Sequence, residues 1–498
     1  MHRLLYLFAL TIIFTSTTQA QTKVFKQVGE DIATEIKAIY QDNNLVGYLA
    51  FTRLERADLD SFNYRITIMD ENLNDIGKVN FRERGLELES VSFEQDVLCL
   101  GYVQSVFYGA TSNKELRQAY KRRNEVKDQL LFQFISLEGK IIGRYTNPVE
   151  LSSTTASGAM YTLPMFLFDG MQIRNIAGRG FAVFYGATKD QRELLLLDAG
   201  GKLLRKKKIV ADAPFYLLQT AGSSIYLLTK TNGRPWEGNY KLYTYPANDS
   251  AKEFSFDLKD KQGNQLKVLS FDADPTTGKA FIAGCIINPD RDKDFVSAHD
   301  YAKNPYLGIF SMTLGATKDD TKTTYSYWST GNLPGINQYG MFSSENEFYA
   351  KYSTVFKDFD GNTVFVGSAL NEKRLLGAAK YRFGDAVFVS QDNKGVLKLD
   401  NHIPCDEGSY FGPAGTLSEL DHKSFYKVVN QDTHTNFIIV DDLENTYIYN
   451  FNAKKTVRTI QHKDGRIKTR VYPAKEGHIM VSEFNSKEKS TRLSIEAL

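Results

Sequence analysis

Along this chain, apolar runs return in pairs at intervals of about sixty residues, each pair broken by a polar or glycine-bearing stretch. Residues 386–399 (AVFVSQDNKGVLKL) show a related phrase: a β-type run, an Asp/Asn/Gly turn, then a second β-type run. Residues 130–143 and 193–204 repeat it. Eight pairs of strands are predicted. Their first members are 45–54, 96–108, 180–188, 223–232, 279–288, 362–370, 434–442 and 477–485. Their second members are 64–69, 129–136, 192–197, 239–245, 306–313, 385–390, 446–451 and 490–497. Several runs, such as Leu194 to Leu197, are apolar throughout, which suits strands covered on both faces.

A β repeat of this size predicts an all-β fold: a β-propeller of eight (alternatively seven) four-stranded blades, one domain over 21–498. An imperfect stack of β modules is the further alternative. The last pair reaches the C-terminal end, so its blade lacks an outer strand. The run Thr22 to Val28 is expected to supply it and close the ring, because circular sheets avoid free edges. Excursions are expected at 112–128, 152–164, 328–342 and 403–416. The first is rich in Lys, Arg, Glu, Gln and Ala and reads as a short exposed helix or flexible excursion. The last two combine Gly, Pro and aromatics, a composition that functional loops often show.

The N-terminus changes the expected compartment. Residues 1–20 join a short basic start, an apolar stretch from Leu4 to Phe14 and a small-residue context at Ala20, the pattern of a secretory signal. Export to the periplasm or outside the cell is the expectation, and no later run is long and apolar enough to insert. Charge is balanced, 61 Lys and Arg against 59 Asp and Glu, so neither nucleic acid nor an anionic membrane is implied as a partner. The basic run Arg205 to Lys208 reads as a charged strand edge that discourages strand addition. Of three cysteines, Cys99 and Cys285 lie in apolar strand runs and Cys405 in a loop, with no metal-ligand spacing.

Candidate chemistry is sparse. Asp358-Phe-Asp-Gly-Asn-Thr363 has alternate carboxylates before a glycine, as a calcium loop does, but lacks the later Glu, and Asp-Gly equally serves a turn. His402, His422 and His434 lie near Cys405 and Asp421 without a spacing that would set two ligands on one face. No metal, cofactor or catalytic residue is nominated. Trp236, with Arg234 beside it, and Trp328, in a loop with Tyr339, are the candidate ligand-binding residues, since loop aromatics can stack on a sugar or hold a peptide.

Residues 471–484 (VYPAKEGHIMVSEF) and 331–340 (GNLPGINQYG) resemble a family of exported Bacteroidota proteins that carry a domain of unknown function with propeller-like β repeats. The resemblance implies a Gram-negative, exported origin and brings no activity. The expected function is therefore an exported binding or interaction module for a protein or glycan ligand. The alternative is an extracytoplasmic carbohydrate-active hydrolase or lyase, with acids or histidines near the first strand of each pair meeting at a central channel.

Overall fold

Each predicted pair is the middle of a four-stranded antiparallel sheet, with one strand added on either side. This is seen in a computed structural model, which describes residues 21–498 apart from 27–32, 42–43, 59, 109–111, 123–126, 150–151, 155–164, 168–169, 187–191, 210–214, 232–238, 248–252, 275–276, 290–303, 332, 343–347, 376–377, 406–407, 414–422, 443 and 463–464. Eight such sheets form a ring, an eight-bladed β-propeller. The blades are named by their innermost strands: Ala33–Gln41 (blade 1), Leu86–Glu94 (2), Met171–Ile176 (3), Phe215–Ala221 (4), Leu266–Ala273 (5), Tyr349–Lys357 (6), Ser424–Asn430 (7) and Ile467–Pro473 (8).

Blade 2 shows how sequence dictates position. Its second strand, Val97–Gln104, is buried at every residue, with a strand on each side and a blade above and below. Its outer strand, Ile141–Pro148, alternates between half-buried and exposed for most of its length. One apolar cluster fills each interface between neighbouring blades. Leu100, Tyr102 and Leu131 meet Phe51 and Ile66 between blades 1 and 2, and Tyr48, Met69, Met480 and Leu493 join blade 8 to blade 1. Outer strands press on the turn of the next blade at Gly77 and Gly143, where an added Cβ would sit 2.0 Å from the carbonyl oxygens of Leu137 and Gly200. Only glycine fits such a backbone approach.

The ring closes as the sequence predicted. Blade 8 comprises Ile467–Pro473, His478–Asn485 and Ser490–Ala497, and its outer strand is the N-terminal Gln21–Lys26, running antiparallel with Gln21 opposite Ile495. Gln21 Nε2 also donates to Asn74 Oδ1 at 2.6 Å, and Lys23 pairs with Asp75, tying the closing strand to blade 1.

Several expectations are revised. The first member of each predicted pair is the second strand of its blade, so the strands that wall the central bore are ones the apolar pattern did not show. The 403–416 excursion contains a strand, Gly408–Pro413, which pairs with the lengthened Ala378–Gln391 of blade 6. Within the 152–164 loop, Ser152–Thr154 pairs with Met165–Leu167. The 112–128 excursion holds a helix as expected, Asn113–Arg122, with Glu115 in its first turn and Lys121 and Arg122 in its last, matching the helix dipole. Arg56–Glu115 (2.9 Å) and Arg122–Asp60 ion pairs pin it over the rim of blade 1. Among the described residues no helix is long and apolar enough to cross a membrane.

Candidate functional site

An inner strand borders the bore with its edge and packs its faces on the two neighbouring blades, so charged residues that interrupt these strands turn toward the bore rather than the apolar interfaces. Along the inner strands, blades 3 to 7 contribute Arg174, Gln219, Asp272, Lys357 and Lys427 in turn. A cavity of about 270 Å³ opens there, with Asp272, Thr354, Phe356, Lys357, Tyr426 and Lys427 in its wall. Gln219 Nε2 donates to Asp272 Oδ1 at 3.2 Å. Lys427 Nζ donates to the Lys357 carbonyl at 3.1 Å and lies 4.9 Å from the centre of the Phe356 ring. Lys357 Nζ is occupied by Thr363 Oγ1 at 2.7 Å, and the Arg174 guanidinium donates to the Ile173 carbonyl at 3.2 Å.

Burial governs the ionisation of this cluster. It pulls the Lys427 ammonium down to about 8, against the opposing pull of Asp272, Asp274 and Asp358. Burial likewise lowers Lys357 and Arg174. The Asp272 carboxyl is pushed up by burial, partly offset by the Ala273 N–H, Lys427 and Arg174. Asp272 and Arg174 are surrounded by protein on most sides, yet both side chains are solvent-accessible, because they face an open bore. Such perturbed, cavity-facing groups are the usual mark of a functional site.

A second charged group lies on blades 1 and 2, nearer the start of the inner strands. There the Glu89 carboxyl is raised to about 7 by burial first and then by Glu87 and Glu35, with Lys37 opposing.

The residues nominated from sequence fare differently. Trp328 is 6% exposed, packed with Cys285, Ile309, Leu333 and Ile336, and donates from Nε1 to the Tyr306 carbonyl at 3.1 Å. It is folded back onto the wall between blades 5 and 6 and offers no open face. Tyr339 is 67% exposed in a turn built by Asn337. Trp236 and Arg234 lie outside the described residues. His402 sits on the outer strand of blade 6, 3.9 Å from Asp385, while His434, in blade 7's first turn, packs its ring at a tilt against Phe359, so these two do not converge; His422 lies outside the described residues. Cys99 and Cys285 are buried, and burial raises the Cys405 thiol to about 11.

The Asp358 segment is a turn. Its Oδ1 accepts from the N–H groups of Asp360 and Asn362 at 3.0 and 2.7 Å, and Gly361 has φ +80°. The same construction recurs at Asp198, Asp260 and Asp392, each followed three residues on by a positive-φ glycine. Four copies of one turn on four different loops make it a device of the repeat rather than an ion site.

Arg174, Asp272 and Lys427 were missed because each is an isolated charge among the apolar and neutral residues of a short β run, MQIRNI, LKVLSFDA (which also carries Lys267) and SFYKVVN. That interruption was the available signal.

Residues 1–192 match the model of a family of unknown function (DUF6770). The match covers the closing strand and blades 1 and 2, and excludes the 331–340 and 471–484 segments on which a family resemblance was read from sequence. No curated protein matches the chain. Among solved structures, the WD40 domain of SCAP from fission yeast is 10% identical, with 94% of this chain and 98% of that one covered and a TM-score of 0.40. Apo AztD from Citrobacter koseri is 9% identical, covering 91% and 96%, with a TM-score of 0.38. A protein of unknown function from Bacteroides caccae is 10% identical, covering 72% and 94%, with a TM-score of 0.27. At these identities the likeness is one of fold alone.

Proposed function

We propose that this chain is an exported binding propeller that receives its ligand, part of a protein or glycan, at the bore mouth walled by blades 5 to 8. The observation that carries the reading is the convergence of Asp272 and Lys427, from strands far apart in sequence, in the wall of one cavity of about 270 Å³. Placing desolvated charges costs stability, and folds keep such costs where a ligand is bound. The aromatic side chains of Phe356 and Tyr426 give the cavity apolar surface beside those charges, the mixture that small-ligand sites use.

Glu89 favours a second reading. A carboxyl raised to about 7 beside Glu87 and Glu35 has the acid–base asymmetry on which glycoside cleavage depends. One experiment addresses both readings. Oligosaccharides and peptides are incubated with the purified protein while binding and product formation are followed, for the wild type and for Lys427→Ala and Glu89→Gln. Binding without turnover, lost in Lys427→Ala alone, supports the binding module. Turnover lost in Glu89→Gln replaces it with the hydrolase or lyase, and binding unaffected by Lys427→Ala sinks the bore-mouth site.

A further inference from the structure

The chemistry of the bore mouth narrows its ligand. Opposite charges are present there but kept apart. Among the described residues, neither Lys427 nor Arg174 makes an ion pair with Asp272. Each charge leans instead on a neutral group: Lys427 on the Lys357 carbonyl, Arg174 on the Ile173 carbonyl, and Asp272 on the Gln219 amide and the Ala273 N–H. The neighbouring charges are committed elsewhere. Lys357 is held by Thr363 Oγ1, and Asp358 is consumed by its own turn, accepting from Asp360, Asn362 N and Asn362 Nδ2. Asp274 accepts from Thr277 N–H across the blade 5 turn.

A ligand with only a negative group would satisfy Lys427 but meet the field of Asp272. One with only a positive group would satisfy Asp272 and be repelled by Lys427. A neutral sugar would leave both signs unneutralised in a partly desolvated pocket, the costly arrangement. A ligand carrying both signs a few bonds apart bridges the gap that the protein's own side chains leave open. We infer that this mouth takes a small zwitterion, a free amino acid or short peptide, with its carboxylate on Lys427 and its ammonium on Asp272. The cavity volume of about 270 Å³ suits a ligand of that size and falls just below the range of drug-sized pockets. The inference rests on the bore mouth being the ligand site and goes beyond it by fixing the charge pattern of what enters.

Titration calorimetry with the purified protein tests it, using five probes: L-alanine, L-alanyl-L-alanine, the anion N-acetyl-L-alanine, the cation L-alaninamide and neutral cellobiose. The expected result is that one of the two zwitterions binds at least about tenfold more tightly than both singly charged analogues. Asp272→Asn and Lys427→Met, each with its melting curve checked, should then each erase that preference, and the better of alanine and dialanine distinguishes the free amino acid from the peptide. Equal binding of N-acetylalanine and the zwitterions, lost in Lys427→Met but not in Asp272→Asn, would overturn the zwitterion while leaving the bore-mouth site standing. Cellobiose binding that ignores both substitutions would overturn both, and silence from all four charged probes would overturn the zwitterion.

Discussion

The second strands of the blades and the innermost strands run side by side in the same sheets, yet they answer to different constraints. Val97–Gln104 and Gly180–Gly186 are buried at every position, and Ala280–Ile287 at all but the last. The inner strands Leu266–Ala273 and Ser424–Asn430 are mostly half-buried and carry Lys267, Asp272 and Lys427. A strand flanked by two others and sandwiched between two blades has only apolar surroundings, so nearly every residue in it must be apolar. A strand on the bore has water on one side, and its bore-facing positions are released from packing. What the molecule binds can therefore be written on the inner strands without disturbing the core that holds them.

This contrast can be broken at several points, in falling order of effect. Deleting Gln21–Lys26 removes the outer strand of blade 8 and exposes a whole edge, and should lower the melting temperature by on the order of 10 °C. A truncation that melts like the intact chain would mean that the ring is not held at that seam. Phe132, fully buried on the third strand of blade 2, should cost about 3–5 kcal/mol on replacement by alanine, measured by denaturant unfolding. Lys37→Ala on the inner strand of blade 1 should stay within about 1 kcal/mol, since Lys37 is partly exposed and its ion pair with Glu35 is a local one. Equal effects at the two positions would erase the distinction between wall and bore.

Lys427 sharpens the comparison with an effect of opposite sign. Its ammonium is held down to about 8 in the folded chain and is ordinary in the unfolded one, so the folded state pays for the charge at every pH below about 8. The penalty fades as pH rises from there toward the free lysine value. Lys427→Met should therefore stabilise the protein at pH 7 by about 1 kcal/mol, after allowing for the lost contacts to the Lys357 carbonyl and the Phe356 ring. The gain should shrink toward pH 10. Stabilisation that grows with pH, or none at pH 7, would show that Lys427 is not strained by burial.

The legible part of this protein was the part ruled by burial. Apolar runs such as Leu194–Leu197 marked the second and third strands of all eight blades, and the missing partner of Ser490–Ala497 pointed to Gln21–Lys26. The inner strands were not legible as strands. Leu203–Lys208 (LLRKKK) reads locally as a charged edge, and Ser424–Asn430 carries a lysine at its centre. Half-exposed strands have no single-face pattern strong enough to stand out in a chain already dense in β residues. Trp328 shows the converse. Its loop composition suggested a binding face, but a backbone carbonyl within reach of its indole and an apolar pocket beneath drew it inward.

By itself, then, the sequence determined the middle strands of the blades and the way the ring closes, because these follow from which residues must leave water and from the need to leave no open edge, while the structure settled eight blades against seven. Only the tertiary structure decided that Asp272 and Lys427 share a cavity. Closing eight sheets around one axis brings into a single bore residues that are about 155 positions apart in the chain. No local pattern of residues records that meeting, because it is set by the curvature of the whole ring.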